Sequence, residues 1–255
     1  MRNYLITICL IVMSVVCFAA YGDQTVQSGF QTTVVVESSK WENAPNSPIW
    51  LDVKITNTSD SAFSGSSYTG DDVGIVGETH SPSKDDIAKC LTPRYGGGGF
   101  CDLISLKSGE AYTKRVLLND LVRPLRPGLT SVWILFPLSP VSGPSVCLTT
   151  KLTLQIGPVL GDQKLEDVYR AVLSSLSKGS AGAREDALRE AAVLPYDYAM
   201  RALTVAVEKY DAGTAALPII AQLPHTQKGK ELIQEIAKFT SASDAEIVRQ
   251  YLSDY

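Results

Sequence analysis

Apolar and polar residues alternate along the first part of the chain and recur at helical spacing along the second. In PIWLDVKITNTSD (48–60), Ile49, Leu51, Val53 and Ile55 alternate with Trp50, Asp52, Lys54 and Thr56. That period of two predicts a half-buried strand running into a turn. Six further stretches carry strand signals: QTTVVVES (31–38), DDVGIVGET (71–79), CDLISL (101–106), AYTKRVLL (111–118), LTSVWILF (129–136) and SVCLTTKLTLQI (145–156). Turn formers separate them at Asp60-Ser61, Lys107-Ser108-Gly109, Arg126-Pro127-Gly128 and Ser142-Gly143-Pro144. Short strands without helical crossovers predict an antiparallel β-sandwich. The stretch LTSVWILFPL is apolar on both alternating faces. It is expected either to run centrally in the sandwich or to carry another segment, such as the C-terminal helices, against the face that holds Trp133.

From Asp162 the period becomes 3.6. DQKLEDVYRAVLSSL (162–176) places Leu165, Val168, Val172, Leu173 and Leu176 on one helical face, with Asp162 as the expected N-cap. Further helices are predicted over 183–194, 197–210, 213–223, 229–239 and 244–252. A repeat at an offset of 29 residues aligns Leu194-Pro195 with Leu223-Pro224, Leu203 with Leu232, Val207 with Ile236, Lys209 with Lys238 and Tyr210 with Phe239. Short helices with matched apolar positions resemble HEAT-like solenoid repeats, and a plain helical bundle is the alternative. The fold class expected is therefore multidomain: an antiparallel β-sandwich over 23–158, then an all-α repeat or bundle domain over 159–255. The join at Gly157-Pro158-Val159-Leu160-Gly161 is too short to let the two drift far apart.

Residues 1–22 read differently. Arg2 precedes an apolar run from Tyr4 to Phe18, then small residues at Ala19, Ala20 and Gly22, a secretory signal peptide pattern. A retained membrane anchor is the alternative, although the run is slightly shorter than the ~18–20 apolar residues a span needs. Acylation at Cys17 is a third reading, weakened by the bulky Val16 before it. The protein is thus expected to be exported, to periplasm or exterior, with no other membrane segment. Over 255 residues, 23 basic side chains against 27 acidic give a net charge of −4, and cleavage would remove Arg2 as well. An acidic surface of this kind argues against a nucleic-acid partner.

Export permits disulfides. Cys9 and Cys17 would leave with the signal, so Cys90, Cys101 and Cys147 remain, with three single pairings open. Cys90–Cys101 is the favoured pairing because it closes the short loop holding Gly96–Gly99. Alternation places Cys147 on the opposite strand face from Val146, Leu148, Leu152, Leu154 and Ile156, beside Thr149 and Lys151.

Two segments also resemble a known family. LDVKITNTSD, followed by LKSGEAYTKRVLLNDLVRPLRPGLTSVWI, resembles the bacterial immunoglobulin-like sandwich domains typified by the intracellular proteinase inhibitor family. Ser108-Gly109-Glu110, Leu118, Leu121 and Pro127-Gly128 match its second motif; Thr130 replaces the usual aromatic and Ser108 the usual proline. The resemblance implies an Ig-like fold and carries no inhibitory residue with it.

Chemistry is sparse. His80 lies in GETHSPSKDD beside Glu78, Ser81, Ser83, Asp85 and Asp86, and His225 follows Pro224. A Ser–His–Asp site can be drawn around His80, and Asp71, Asp72, Glu78, Asp85 and Asp86 can be drawn as oxygen ligands for calcium. A solvated polar loop is the favoured reading of both. There is no GxSxG, HExxH or Walker motif, and the three cysteines without a partnered histidine lack structural zinc spacing. Asn57-Thr58-Ser59 is a glycosylation sequon on paper. The function expected is a non-enzymatic envelope protein that binds a partner protein and needs no cofactor. Tyr68, Arg94, Tyr95 and Trp133 are the candidate partner contacts. The competing expectations are a hydrolase built on the His80 loop and an accessory or inhibitory factor of an exported peptidase.

Overall fold

The structure, a computed structural model, describes residues 25–36, 41–68, 74–76, 81–91, 101–122, 125–210, 212–238 and 245–253. Residues 1–24, with the expected signal peptide, lie outside the described residues, as do His80, Arg94, Tyr95 and the Gly96–Gly99 run.

The described strands are β1 (Thr25–Gln27), β2 (Phe30–Val36), β3 (Trp50–Asn57), β4 (Phe63–Tyr68), β5 (Gly74–Val76), β6 (Cys101–Leu106), β7 (Ala111–Leu117), β8 (Gly128–Pro140) and β9 (Val146–Ile156). They form two antiparallel sheets. One has the order β1-β2-β3-β7; the other has the order β5-β8-β4-β6, with β9 also paired to β8. Strict alternation aims one set of side chains from each sheet inward. Val34, Leu51, Val53 and Ile55 of the first sheet meet Ile104, Val132, Ile134, Phe136, Leu148 and Leu152 of the second in a single buried cluster. Phe30 packs edge-on against Phe63 across that core, with ring centroids 5.0 Å apart.

The predicted strands recur, that over 101–106 with the same bounds and the others with shifted ends, and β1 and β4 are additions. The sequence FSGSSY of β4 shows little apolar alternation because the inward positions after Phe63 are the small Gly65 and Ser67. A Cβ on Gly65 would lie 2.4 Å from the Ser139 carbonyl oxygen and 2.9 Å from the Pro140 Cα. Two short helices were also unforeseen, α1 (Lys84–Leu91) and α2 (Leu118–Leu121).

Among the described residues of the C-terminal part the helices are α3 (Asp162–Lys178), α4 (Ala181–Val193), α5 (Tyr196–Tyr210), α6 (Leu217–Gln222), α7 (Gln227–Ala237) and α8 (Ala245–Ser253), with a 3-10 turn at Gly213–Ala216. Leu165, Val168, Val172 and Leu176 of α3 are buried as the periodicity requires. The N-cap of α3 is Gly161 rather than Asp162, which is the first helical residue and sits where its charge complements the helix dipole. The aligned Leu-Pro pairs occupy equivalent corners. Leu194 and Leu223 each end a helix in extended backbone, each donating its N–H to the carbonyl three residues earlier, and both side chains are buried. Tyr196 and Thr226 hydrogen-bond through their hydroxyls at 2.6 Å, joining the residues that follow the two corners.

The helices have their own buried cluster, separate from that of the sheets. It recruits Ala44 from the β2–β3 connection and Leu160 from the join, with Trp41 packed against it. Part of the segment read as β territory therefore belongs to the helical core.

Candidate functional site

The feature that organises the described side chains is the junction between sheets and helices. It begins with strand alternation. On β3, Trp50 falls on the outward face with Asp52 and Lys54, a position expected to be half-exposed. Yet Trp50 is only 4% exposed, and its cross-strand partner Leu117 is buried too. Helix α4 accounts for the difference. Glu190 and Asp186 stand one turn apart on the same helical face. Glu190 Oε1 accepts a hydrogen bond from Trp50 Nε1 at 2.7 Å. Asp186 Oδ2 accepts from Arg115 Nη1 at 2.9 Å, and the Arg115 guanidinium lies 4.3 Å from the Trp50 ring. Arg115 thus touches the ring through its face and the carboxylate through its edge, the geometry at which a planar guanidinium is strongest.

The connection between β2 and β3 reinforces this joint. Gly157 N–H donates to the Asn43 carbonyl at 2.6 Å. The Asn46 amide clamps Leu160, accepting from its N–H at 2.8 Å and donating to its carbonyl at 3.2 Å. Lys164 of α3 pairs with Glu42. Asn119 of α2 supports the loop from beneath, accepting from Ile49 N–H at 2.8 Å and donating to the Ser47 carbonyl at 3.0 Å. The join is therefore clamped from both sides.

Burial pushes the Asp186 carboxyl above its ordinary value, and the Arg115 guanidinium only partly offsets that. A carboxylate whose folded pKa is raised opposes folding at neutral pH, and the opposition fades as pH falls through that raised value. Asp186→Asn removes this titration. Stability measured by urea denaturation across the mildly acidic range should show the wild type gaining on D186N as pH falls. Parallel pH profiles would show that Asp186 does not titrate as described.

A second cluster lies on the helices. The exposed Arg201 of α5 places its guanidinium 4.6 Å from the Tyr169 ring and 5.6 Å from the Tyr198 ring. The two rings meet edge-to-face at 5.6 Å. This platform, like the junction, combines residues from different elements, Tyr169 on α3 with Tyr198 and Arg201 on α5.

The expected site residues fare differently. The disulfide joins Cys90 to Cys147 with a Cα–Cα distance of 6.1 Å, correcting the expected Cys90–Cys101 pairing. The reason is topological. Helix α1 packs on β8 and β9, whereas Cys101 begins β6 at the other edge of that sheet, beyond β4. Trp133 is half-buried on the outward face of β8, between Val76 and Lys151 in register, and the helix on that face is α1. Tyr68 ends β4 opposite Cys101.

Of the residues drawn around His80, Ser83 and Asp86 have another occupation. They form a reciprocal cap for α1: Asp86 Oδ2 accepts from Ser83 N–H at 3.0 Å and from Ser83 Oγ at 2.6 Å, while Asp86 N–H donates to Ser83 Oγ at 3.2 Å. These bonds hold the Asp86 carboxyl below its ordinary range. Among the described residues, no group of three or more His, Cys, Asp or Glu side chains is placed to hold a metal ion. Asn57, the sequon residue, is buried, and its Nδ2 already donates to the carbonyls of Ser61 and Leu106 at 2.8 and 3.1 Å. No helix among the described residues is long and apolar enough to cross a membrane. The chain matches no protein-family model, and no curated protein matches it.

Proposed function

We propose that this chain is an exported, non-enzymatic protein of the cell envelope that binds a partner protein through a two-part scaffold. In this reading residues 1–22 are a signal, 23–158 an Ig-like sandwich and 159–255 a HEAT-like helical unit. The observation that carries it is the junction. Trp50, Arg115, Asp186, Glu190 and the clamped join hold the sheets and helices together by paired side chains, as a surface spanning both would require. A hinged enzyme would instead need its two halves free to close.

Several observations support the parts. The two segments that carry the Ig-like resemblance touch: Gly109 N–H donates to the Asn57 carbonyl at 2.7 Å, and Asn57 N–H donates to the Glu110 carbonyl at 2.9 Å. The equivalent Leu194 and Leu223 corners support a helical repeat. The Cys90–Cys147 disulfide fits an oxidising compartment. The Arg201 platform is the helical part of the surface we assign to the partner, since arginine and tyrosine are enriched at interaction hot spots.

The test is capture from envelope extract with the mature chain, comparing wild type with Arg201→Glu. A stoichiometric protein retained by the wild type and lost by R201E supports the reading. Hydrolysis of any substrate in a peptide and ester panel, abolished by His80→Ala, would replace it with the enzyme reading. Loss of activity in a titrated peptidase would favour the accessory role.

A further inference from the structure

We propose that the Cys90–Cys147 disulfide is a redox-sensitive fastener that holds α1 as a strap over the outward face of β8 and β9. The proposal is independent of what the protein binds. It starts from an imbalance between the strap and what lies under it. Leu135 and Pro137 point outward from β8, on the same face as Cys147 of the adjoining β9, yet all three are buried. Leu135 lies outside the cluster shared by the sheets. The helix packed against β8 and β9 on this face is α1.

Helix α1 itself has no buried residue. Ile87, Cys90 and Leu91, at helical spacing, are half-buried, while Lys84, Asp85, Ala88 and Lys89 are exposed. An eight-residue helix is short of the ~12–15 residues at which isolated helices become even marginally stable in water. The Ser83–Asp86 cap is a local, solvent-exposed set of hydrogen bonds and adds little to that. Its packing is therefore thin, and the covalent bond to Cys147 supplies the remaining hold by keeping the helix close to the strands at high effective concentration.

The reaction is thiol–disulfide exchange with a dithiol reductant. One reductant thiolate attacks a sulfur of the Cys90–Cys147 bond, forming a mixed disulfide and expelling the other cysteine as a thiolate, which takes up a proton. The reductant's second thiolate then attacks its own sulfur in the mixed disulfide. The second cysteine leaves and is protonated, and the reductant departs as a cyclic disulfide. Reversal needs a disulfide oxidant of the kind an exported protein meets. The strap is thus open in a reducing compartment and closed after export, and its opening uncovers Leu135 and Pro137.

The experiment is hydrogen exchange by mass spectrometry on the full chain, oxidised and after dithiothreitol, with binding of an apolar dye read in parallel. Reduction should speed exchange across residues 84–91 by roughly tenfold or more, raise dye binding, and leave exchange in β9 and in α3–α5 unchanged. Cys101→Ser should respond like the wild type, and Cys90→Ser should behave as if already reduced. Unchanged exchange across 84–91 on reduction would overturn the proposal. So would loss of protection throughout both cores, which would make the bond a global staple, or a response abolished by C101S, which would assign the bond to Cys101.

Discussion

Trp50→Ala should lower the unfolding free energy by about 3–5 kcal/mol, the range for deleting a buried large aromatic. Trp50 sits on the outward face of the first sheet, outside the core cluster, so the packing of the two sheets would not demand it. The substitution removes three things at once: the ring under the Arg115 guanidinium, the Nε1 donor to Glu190 Oε1, and the filling of the space beneath α4. Its effect should therefore include a change in cooperativity. Wild-type denaturation followed by far-UV circular dichroism, which reports mainly the helices, should coincide with that followed by tryptophan fluorescence, since all three tryptophans precede the C-terminal helices. In W50A the two curves should separate, because each half keeps its own buried cluster but loses the joint. Trp50→Phe, which retains a ring without the donor, should fall between, with a loss of about 1–2 kcal/mol. Coincident curves in W50A with a loss below about 1 kcal/mol would mean that the junction does not couple the halves.

The elements most legible in the sequence are those whose pattern is local. The alternation of Ile49, Leu51, Val53 and Ile55 and the helical stripe of Leu165, Val168, Val172 and Leu176 each state a buried face directly, and all eight side chains are buried. Long-range demands are less legible. Gly65 is small because the Ser139–Pro140 backbone of the paired strand β8 lies too close for a Cβ, so β4 carries little alternation to read. Ser83-Lys84-Asp85-Asp86 does contain a capping-box spacing, but it lies inside GETHSPSKDD, whose polarity argues for a loop. The disulfide followed neither proximity nor loop length: 57 residues separate Cys90 from Cys147, and the strand face given to Cys147 by alternation was the informative clue. Trp50 left a comparable clue as a bulky aromatic in the row of Asp52, Lys54 and Thr56. What no local pattern states is the identity of the cover, Asp186 and Glu190, about 140 residues downstream, since fold topology alone brings them there.

Asn57 shows how a motif position can specify fold while resembling a functional site. Written as Asn-Thr-Ser it invites a glycan, but the amide closes the end of the β half. Nδ2 donates to the Ser61 and Leu106 carbonyls, and Oδ1 accepts from Ser59 N–H at 3.1 Å and Ser59 Oγ at 2.7 Å. All four bonds are local to the buried corner where β3 meets the turn after β6. Asn57→Ala should cost about 2–4 kcal/mol, since each lost bond contributes about 0.5–1.5 kcal/mol and the polar groups left behind in a buried setting add to it. Asn57→Asp is the sharper variant. It preserves the acceptor for Ser59 but turns a carboxylate oxygen toward the Ser61 and Leu106 carbonyls, replacing two donations with repulsion between acceptors in a desolvated site. N57D should therefore be less stable than N57A at neutral pH and should recover part of the difference in acid, where a protonated carboxyl can donate once. Chemical denaturation of both variants at two pH values decides this. Equal stability of N57D and wild type would show that donation by Nδ2 is not what holds the corner. Presented to a glycosyltransferase for this sequon only after folding, Asn57 should remain unmodified by mass spectrometry, because the nitrogen that would bear the glycan is buried and already bonded to two carbonyls.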